Sequence, residues 1–453
     1  MKKLSAIILA AVLLFTLAAC SDKEETDTAE ATTEAAVETT AAPEEEVETT
    51  TEPEKEPEKE PEAEDEIIFS GSTVADNKYC KILISEIKET PYGTSLTVEA
   101  ENKSSDMNLA FIAENCCING VLVNTFYAEN LSAGEKSTDT ITFSEDVLRE
   151  NGITKFTGIE ITFRVFDADN LFDNDVALET VRIYPYGESK AENYNREEKA
   201  TDIIIFDTDE VSAVITNTGK DSFSNNYVNL YLENKSADTN YTFEVAGCAI
   251  NGVEINCIDI FNVPAGKVAF EKLYITDSLL TENVITDLTD IYVAMRVFDT
   301  DSWDADYITD TGVHIYPDGQ ENADGFTREI KDTDTVIADT NDITIIITGI
   351  ERSDLFEAQD LCFYVINKSD KELLFSIEDV TVNGYRMDPF FAESVKPGFS
   401  KFSRASWYDD DLAINDIEKI EKIEFTMPVR LTENYESTEI LNETVIYTPV
   451  ISD

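Results

Sequence analysis

The chain reads as all-β: three tandem antiparallel β-sandwiches, each with one short helix, behind a disordered acidic linker. Three observations lead there. After residue 66, Val, Ile, Phe, Tyr and Thr alternate with Asp, Glu and Asn, the composition of half-buried strands. Pro185, Pro317 and Pro449 close the phrases IYP, IYP and YTP at spacings of 317 − 185 and 449 − 317, a period of 132 residues. Asn-Gly recurs at the same point of each copy, and a two-residue hairpin with positive φ at both central residues favours that dipeptide.

Other landmarks keep the period. INGV at 118–121 returns at 250–253 and as VNGY at 382–385, and VFD at 165–167 returns at 297–299. NKS stands at 102–104, 234–236 and 367–369, so one residue has slipped between the second and third copies. Tandem duplication explains the set. The period exceeds that of solenoid repeats, about 20 to 50 residues, and fits a domain of about 100 residues with a connector. The expected boundaries are 67–188, 200–320 and 335–451, each copy with its own core. The connectors near 187–202 and 318–335 are polar, and Arg196 and Arg328 occupy matching positions in them, which points to a repeated junction.

In the first copy, strands are expected near 79–88, 94–101, 107–118, 121–128, 137–143, 156–167 and 176–184. Between the fifth and sixth, SEDVLRENGI predicts a short helix with Ser144 as N-cap, Asp146 in its first turn and Gly152 past its end. LLTENVI and LAINDI take that place later. Seven short strands at this spacing suggest a sandwich, with a jelly roll as the alternative.

Ahead of the repeats, Lys2, Lys3 and the apolar run SAIILAAVLLFTLAA form a signal peptide, too short for a spanning helix of about 20 residues. It ends in Leu17, Ala18, Ala19 and Cys20, which resembles the lipobox of bacterial lipoproteins. The resemblance implies that segment 1–20 is a lipoprotein signal peptide cleaved ahead of Cys20, with diacylglycerol on the Cys20 sulfur and a membrane as partner through that lipid. Two acyl chains anchor durably where one binds only marginally. Residues 21–66 form a Thr/Ala tract running into Glu/Pro repeats, almost without large apolar side chains. Such a segment cannot bury enough surface to offset its ordering entropy. Extended at about 3 Å per residue, it reaches on the order of 100 Å, enough to cross a thick cell wall. The expected location is the extracellular face of the cell membrane. A net charge of −59 excludes nucleic acid as a natural partner and disfavours adsorption to anionic lipid.

The phrases DTDEVSAVIT and DTNDITIIIT, then NKS, INGV or VNGY, AGE, AGK or PG, and VFDADN or VFDTDSW, resemble the immunoglobulin-like domains repeated in clostridial-type surface lipoproteins of Gram-positive bacteria. The resemblance implies an immunoglobulin-like sandwich and a surface location, and no general activity. The first copy departs from it with SGSTVADNKY at its opening, and the third with MPVRLTEN in place of FRVFDADN.

Candidate site residues are few. Asp167, Asp169, Asp173 and Asp175 crowd one loop, and Asp299, Asp301, Asp304 and Asp306 crowd its echo. Only Asp167 and Asp169 align with Asp299 and Asp301; Asp173 and Asp175 fall opposite Ala305 and Tyr307. In the third copy the four first-copy positions hold Leu431, Glu433, Ser437 and Glu439. Calcium needs six to eight converging oxygens, usually with a glycine in the loop, and neither loop has one. They read as solvated hairpin tips, where Asp bonds the local backbone, with a weak calcium site as the alternative. No other cofactor is expected. Trp303, in the second tip, reads as a cover on the open end of the sandwich or as a contact for a sugar or an apolar side chain. Trp407 reads as core. The only histidine, His314, occupies an outward or edge position, without partners for a zinc site or a catalytic triad. NKS matches a glycosylation sequon but reads better as a strand-end turn. Cys80, Cys116, Cys117, Cys248, Cys257 and Cys362 do not recur between copies and read as buried thiols; Cys248 and Cys257 are the pair best placed to bridge. The expectation is a non-catalytic surface protein for binding, adhesion or scaffolding, its partner an extracellular protein or glycan. The alternative is capture of a glycan or solute, assisted by calcium.

Overall fold

The computed structural model describes residues 66–449 apart from 91–92, 144, 171–174, 303–305, 354–355, 390 and 433–438. The first repeat contains β1 (Ser72–Asp76), β2 (Cys80–Thr90), β3 (Gly93–Asn102), β4 (Leu109–Ile118), β5 (Val121–Leu122), β6 (Ala128–Leu131), β7 (Lys136–Thr142), α1 (Asp146–Glu150), β8 (Ile159–Asp167) and β9 (Ala177–Ile183). One sheet runs β1-β2-β3-β7 and the other β9-β8-β4, with β5 and β6 both pairing with β4. Apart from β1, this is the strand allocation of an immunoglobulin-type sandwich.

Two expectations are corrected. Sequence reading placed no strand before residue 79, yet β1 pairs with β2 across a bulge between Thr73 and Ala75. Gly71, Ser72, Asp76 and Asn77 are turn formers and hid it. The strand expected at 121–128 is broken into β5 and β6, because Val121 and Leu122 close the Asn-Gly turn before the chain leaves and returns alongside the start of β4. The predicted N-cap, Ser144, lies outside the described residues; the structure caps α1 at Glu145, without a side-chain cap bond.

The later repeats follow the same plan. In the second, Ile203–Asp207, Val211–Lys220, Asn226–Asn234 and Val268–Ile275 stand for β1, β2, β3 and β7, and Tyr241–Ile250, Ile291–Asp299 and Thr309–Ile315 stand for β4, β8 and β9. In the third, the counterpart of β4 is split into Leu373–Ser376 and Glu378–Val382, with Asp379 at φ 52°. A bulge occupies the same place earlier, at Glu114 to Cys117 and at Val245 to Gly247. Alternation along the strands delivers one apolar face per sheet. Phe111 and Phe163, Phe243 and Val297, and Phe363 and Phe425 are buried in three apolar clusters, each centred on one repeat, the first reaching across to Val214, Tyr231 and Val268 of the second.

The NKS asparagine is a repeated internal clamp. Asn102, Asn234 and Asn367 are at most 1% exposed. Asn367 donates to Lys371 O (2.7 Å) and Val395 O (2.8 Å) and accepts from Ser369 N (3.0 Å). Asn234 does the same with Thr239 O, Val263 O and Ser236 N, and Asn102 with Met107 O, Leu131 O and Ser104 N. A sequon asparagine held this way presents no amide to a glycosylating enzyme. The following lysine reaches the first hairpin: Lys235 binds Asp207 (2.5 Å) and Thr208 O, and Lys368 binds Asp339 (2.8 Å) and Thr340 O. Lys103 binds Asp76 and Asn77 O in the same way. The unusual opening of the first copy therefore preserves the one carboxylate that this contact needs.

Candidate functional site

The Asn-Gly hairpins do more than set register. Asn119, Asn251 and Asn383 have φ of 51°, 52° and 50°, followed by Gly120, Gly252 and Gly384 at 84°, 81° and 89°. Each asparagine side chain ties the hairpin to the start of the β8-type strand: Asn119 Oδ1 accepts from Thr157 N and Gly158 N, and Asn251 Oδ1 from Thr289 N and Asp290 N. Thus held, the turn presents its carbonyls outward. Gly120 O accepts from Val268 N of the second repeat (3.1 Å), and Gly252 O accepts from Ser400 N of the third (2.9 Å). Val121 pairs in parallel with Val268, and Val253 and Glu254 pair with Ser400 and Lys401. Each hairpin therefore extends a sheet of the next repeat, which is β-augmentation within one chain.

The connector seals each junction. Tyr194 N donates to Asn119 O (2.7 Å) and Phe326 N to Asn251 O (2.8 Å). Tyr194 meets Phe270 edge-on at 5.5 Å, and Phe270 lies 5.4 Å from Tyr231. At the second junction Phe326 meets Tyr364 and Phe402, themselves 4.6 Å apart. Arg196 binds Asp202 at 2.5 Å with both side chains nearly buried. Arg328 grips Asp334 with two bonds, 2.6 and 2.8 Å, and the Asp334 side chain is 0% exposed. The Arg328 hydrogen bond outweighs burial and holds the Asp334 carboxyl below its ordinary value. At Asp202 burial is the largest influence, yet bonds from Arg196 and Lys199 N overcome it and lower the pKa. Lys267 of the second repeat reaches Glu160 of the first (2.9 Å), which also holds Arg182.

Each junction leaves an open cleft beside the connector. The first, of about 1140 Å³, is lined by Asn151, Tyr194, Tyr227, Phe270, Glu271 and Lys272 among others. The second, of about 380 Å³, has Asn283, Phe402, Ser403 and Arg404 at the matching places. Burial, with a smaller push from Asp259, raises the Glu271 carboxyl to about 7. In the second lining Glu351 hydrogen-bonds Cys362, and burial above all raises that thiol to about 12.

The aspartate loops are only partly described. Asp167 Oδ1 accepts from Asp169 N (3.0 Å) and Asp299 Oδ1 from Asp301 N (2.9 Å), so each first carboxylate closes its own turn. Asp169 accepts from Asn108, and Asp175 is bound by Arg164 at 2.7 Å. Asp306 is exposed. Asp173, Asp304 and Trp303 lie outside the described residues, as does Cys20. Among the described residues no three His, Cys, Asp or Glu side chains gather as a metal would require. In the third repeat Glu439 instead shares Arg430 with Glu378.

Trp407 is buried, its Nε1 donating to Met387 O at 2.9 Å. His314 sits exposed on the edge strand, as expected, but it also belongs to the second junction. Its Nδ1 lies 2.8 Å from Asp290, and its ring stacks near Tyr316 of its own repeat and Phe399 of the third. All six described cysteines are buried thiols; Cys248 and Cys257 are hydrogen-bonded neighbours, and that bond and burial together raise the Cys248 thiol.

No family model matches the chain, and no curated protein matches it. Among solved structures it is similar to red sea bream transglutaminase at 8% identity, covering 53% of this chain and 31% of that one, with a TM-score of 0.15. A likeness at that level bears on neither fold nor activity. The junction residues were missed in the sequence, apart from the two arginines. A signal was present: Tyr231 and Phe270, and Tyr364 and Phe402, are outward strand aromatics, where the first repeat has Glu99 and Thr138.

Proposed function

We propose that the chain is a lipid-anchored protein of the bacterial cell surface, whose immunoglobulin-like modules at 67–188, 200–320 and 335–451 serve non-catalytic binding, adhesion or scaffolding. The observation that carries this reading is the repeated junction. The same hairpin, connector and buried arginine–aspartate pair join one repeat to the next twice over, which couples the modules into shared sheets. Such construction suits a display device that must keep its far end at a fixed distance from its near end. Three apolar clusters, each centred on one repeat, support the module count. The lipobox-like LAAC and the acidic tract after it support the anchor and tether. No residue is assigned a catalytic role, because the lone histidine is engaged with Asp290 and aromatic rings in the junction.

The test is metabolic labelling with an alkyne-bearing fatty acid, combined with protease treatment of intact cells. Label is expected on the wild-type chain and absent from Cys20→Ala, with the repeats cleaved from outside. A chain that takes no label, or one protected until the cells are lysed, sinks the reading.

A further inference from the structure

We infer that the Asn383–Gly384 hairpin of the third repeat is an intermolecular docking element, made to extend the sheet edge of another β-sandwich protein that carries a cross-strand aromatic pair. This gives the display reading a class of partner and rests on that reading only for location.

The argument is continuity with two interfaces already in the molecule. Asn383 and Gly384 adopt the conformation of the two hairpins that dock, and Asn383 Oδ1 is tied by Glu421 N and Lys422 N in the same manner. Among the described residues nothing donates to the Asn383 or Gly384 carbonyl. The residue after the glycine is Val121 or Val253 in the docked hairpins, and both are 0% exposed. Here it is Tyr385, 50% exposed. Three strands across the same sheet, Ile446, 61% exposed, occupies the place of His314, whose ring in the second repeat lies near Phe399 of the third. Tyr385 is thus exposed where the matching valines of the two earlier repeats are buried, and Ile446 puts an aliphatic side chain where they carry the exposed Arg182 and His314.

A second copy of this chain is not the fitting occupant. The edge that would receive the hairpin is β7, and its aromatic pair is replaced by Glu99 and Thr138, both exposed. Lys136 and Asp139 add exposed charge along the same strand, a device that keeps sheet edges from pairing. The two ends are therefore unlike. The β7 edge is closed to this contact while, among the described residues, the Asn383–Gly384 hairpin is open, so copies of this chain do not stack through it into a filament.

The prediction is tested by restoring the missing half. The full chain, with Cys20→Ser to keep it free of lipid, is given Glu99→Tyr and Thr138→Phe and followed by sedimentation velocity in ~0.5 M salt, which screens its acidic charge. Without the effective concentration of a covalent connector, half-association is expected only at about 100 µM. The double variant is expected to form head-to-tail oligomers, the parent to stay monomeric, and Tyr385→Asp with Ile446→Glu in the double variant to abolish assembly. Absence of assembly at ~500 µM by a variant that melts like the parent overturns the inference. So does assembly that survives Tyr385→Asp with Ile446→Glu, or assembly of the parent. Should the double variant not fold, Glu99→Tyr alone is read against the same outcomes. None of these results depends on the anchor, so failure here is distinct from failure of the surface reading.

Discussion

Asn367→Ala removes the clamp of the third repeat, and its cost follows from the bonds lost. The side chain is 0% exposed and makes three bonds to backbone groups, at Lys371 O, Val395 O and Ser369 N. A net contribution of about 1 kcal/mol each gives about 3 kcal/mol, with more where a buried carbonyl such as Val395 O is left unmet. Trp407, in the core of the same repeat, is the reporter, and Trp303→Phe removes the only other tryptophan. With a urea slope of about 1.5 kcal/mol/M for one module, the fluorescence midpoint is expected to fall by about 2 M. Ser369→Ala leaves the backbone bond to Asn367 in place and should cost well under half as much. A fall in midpoint below about 0.5 M for Asn367→Ala, at unchanged slope, refutes the clamp.

Arg328→Met strands the fully buried Asp334 carboxylate and should destabilise the second junction by about 3 to 5 kcal/mol, seen as faster proteolysis at Lys331; adding Asp334→Leu should restore most of it. Glu271, raised to about 7 by burial, binds its proton more tightly folded than unfolded. Stability of the second repeat should therefore fall as pH rises from about 4.5 to about 7, and Glu271→Gln should flatten that slope in urea melts at a series of pH values. Alkylation in denaturant without reductant should modify all six non-lipidated cysteines; a mass deficit of two hydrogens would place a bridge at Cys248 and Cys257. Millimolar calcium should leave thermal melts where matched ionic strength leaves them, and a rise of several degrees with calcium alone would assign the Asp167 and Asp299 loops a metal.

What could be read from sequence is what recurs inside one copy. The 132-residue period, the Asn-Gly turns and the strand rhythm from Ile82 through Ile183 are local patterns, and local physics enforces them. The first strand escaped because Gly71, Ser72, Asp76 and Asn77 are turn formers, while its pairing with β2 is a tertiary fact. NKS was read as a turn, which is right as to place, but its buried amide clamp depends on carbonyls such as Leu131 O and Val263 O that lie 29 residues away in each case. The junctions were legible only as a hint in Arg196 and Arg328. Their partners Asp202 and Asp334 sit six residues on, among so many acids that neither stands out.

The junctions also account for what differs between copies in a protein otherwise written three times. The residue after the hairpin glycine follows burial: Val121 and Val253, beside the strands they pair with, are fully buried in the apolar clusters of their own repeats, and Tyr385 is half exposed. A strand that receives needs apolar bulk on its outer face, as in the second and third repeats, whereas among the described residues no hairpin pairs with the first, which carries Glu99 there. These two surfaces, whose neighbours change from copy to copy, carry different residues, while the clamp asparagine and the Asn-Gly turn, whose neighbours do not change, stay fixed. Exchanging Val253 for Tyr puts this to the test: the ring has no room in the closed site that Val253 fills, so the second repeat should lose about 1 to 3 kcal/mol of stability, while Tyr385→Val leaves stability within about 0.5 kcal/mol. Equal tolerance at both positions would mean that the differences between the copies are drift and that burial sets no constraint on them.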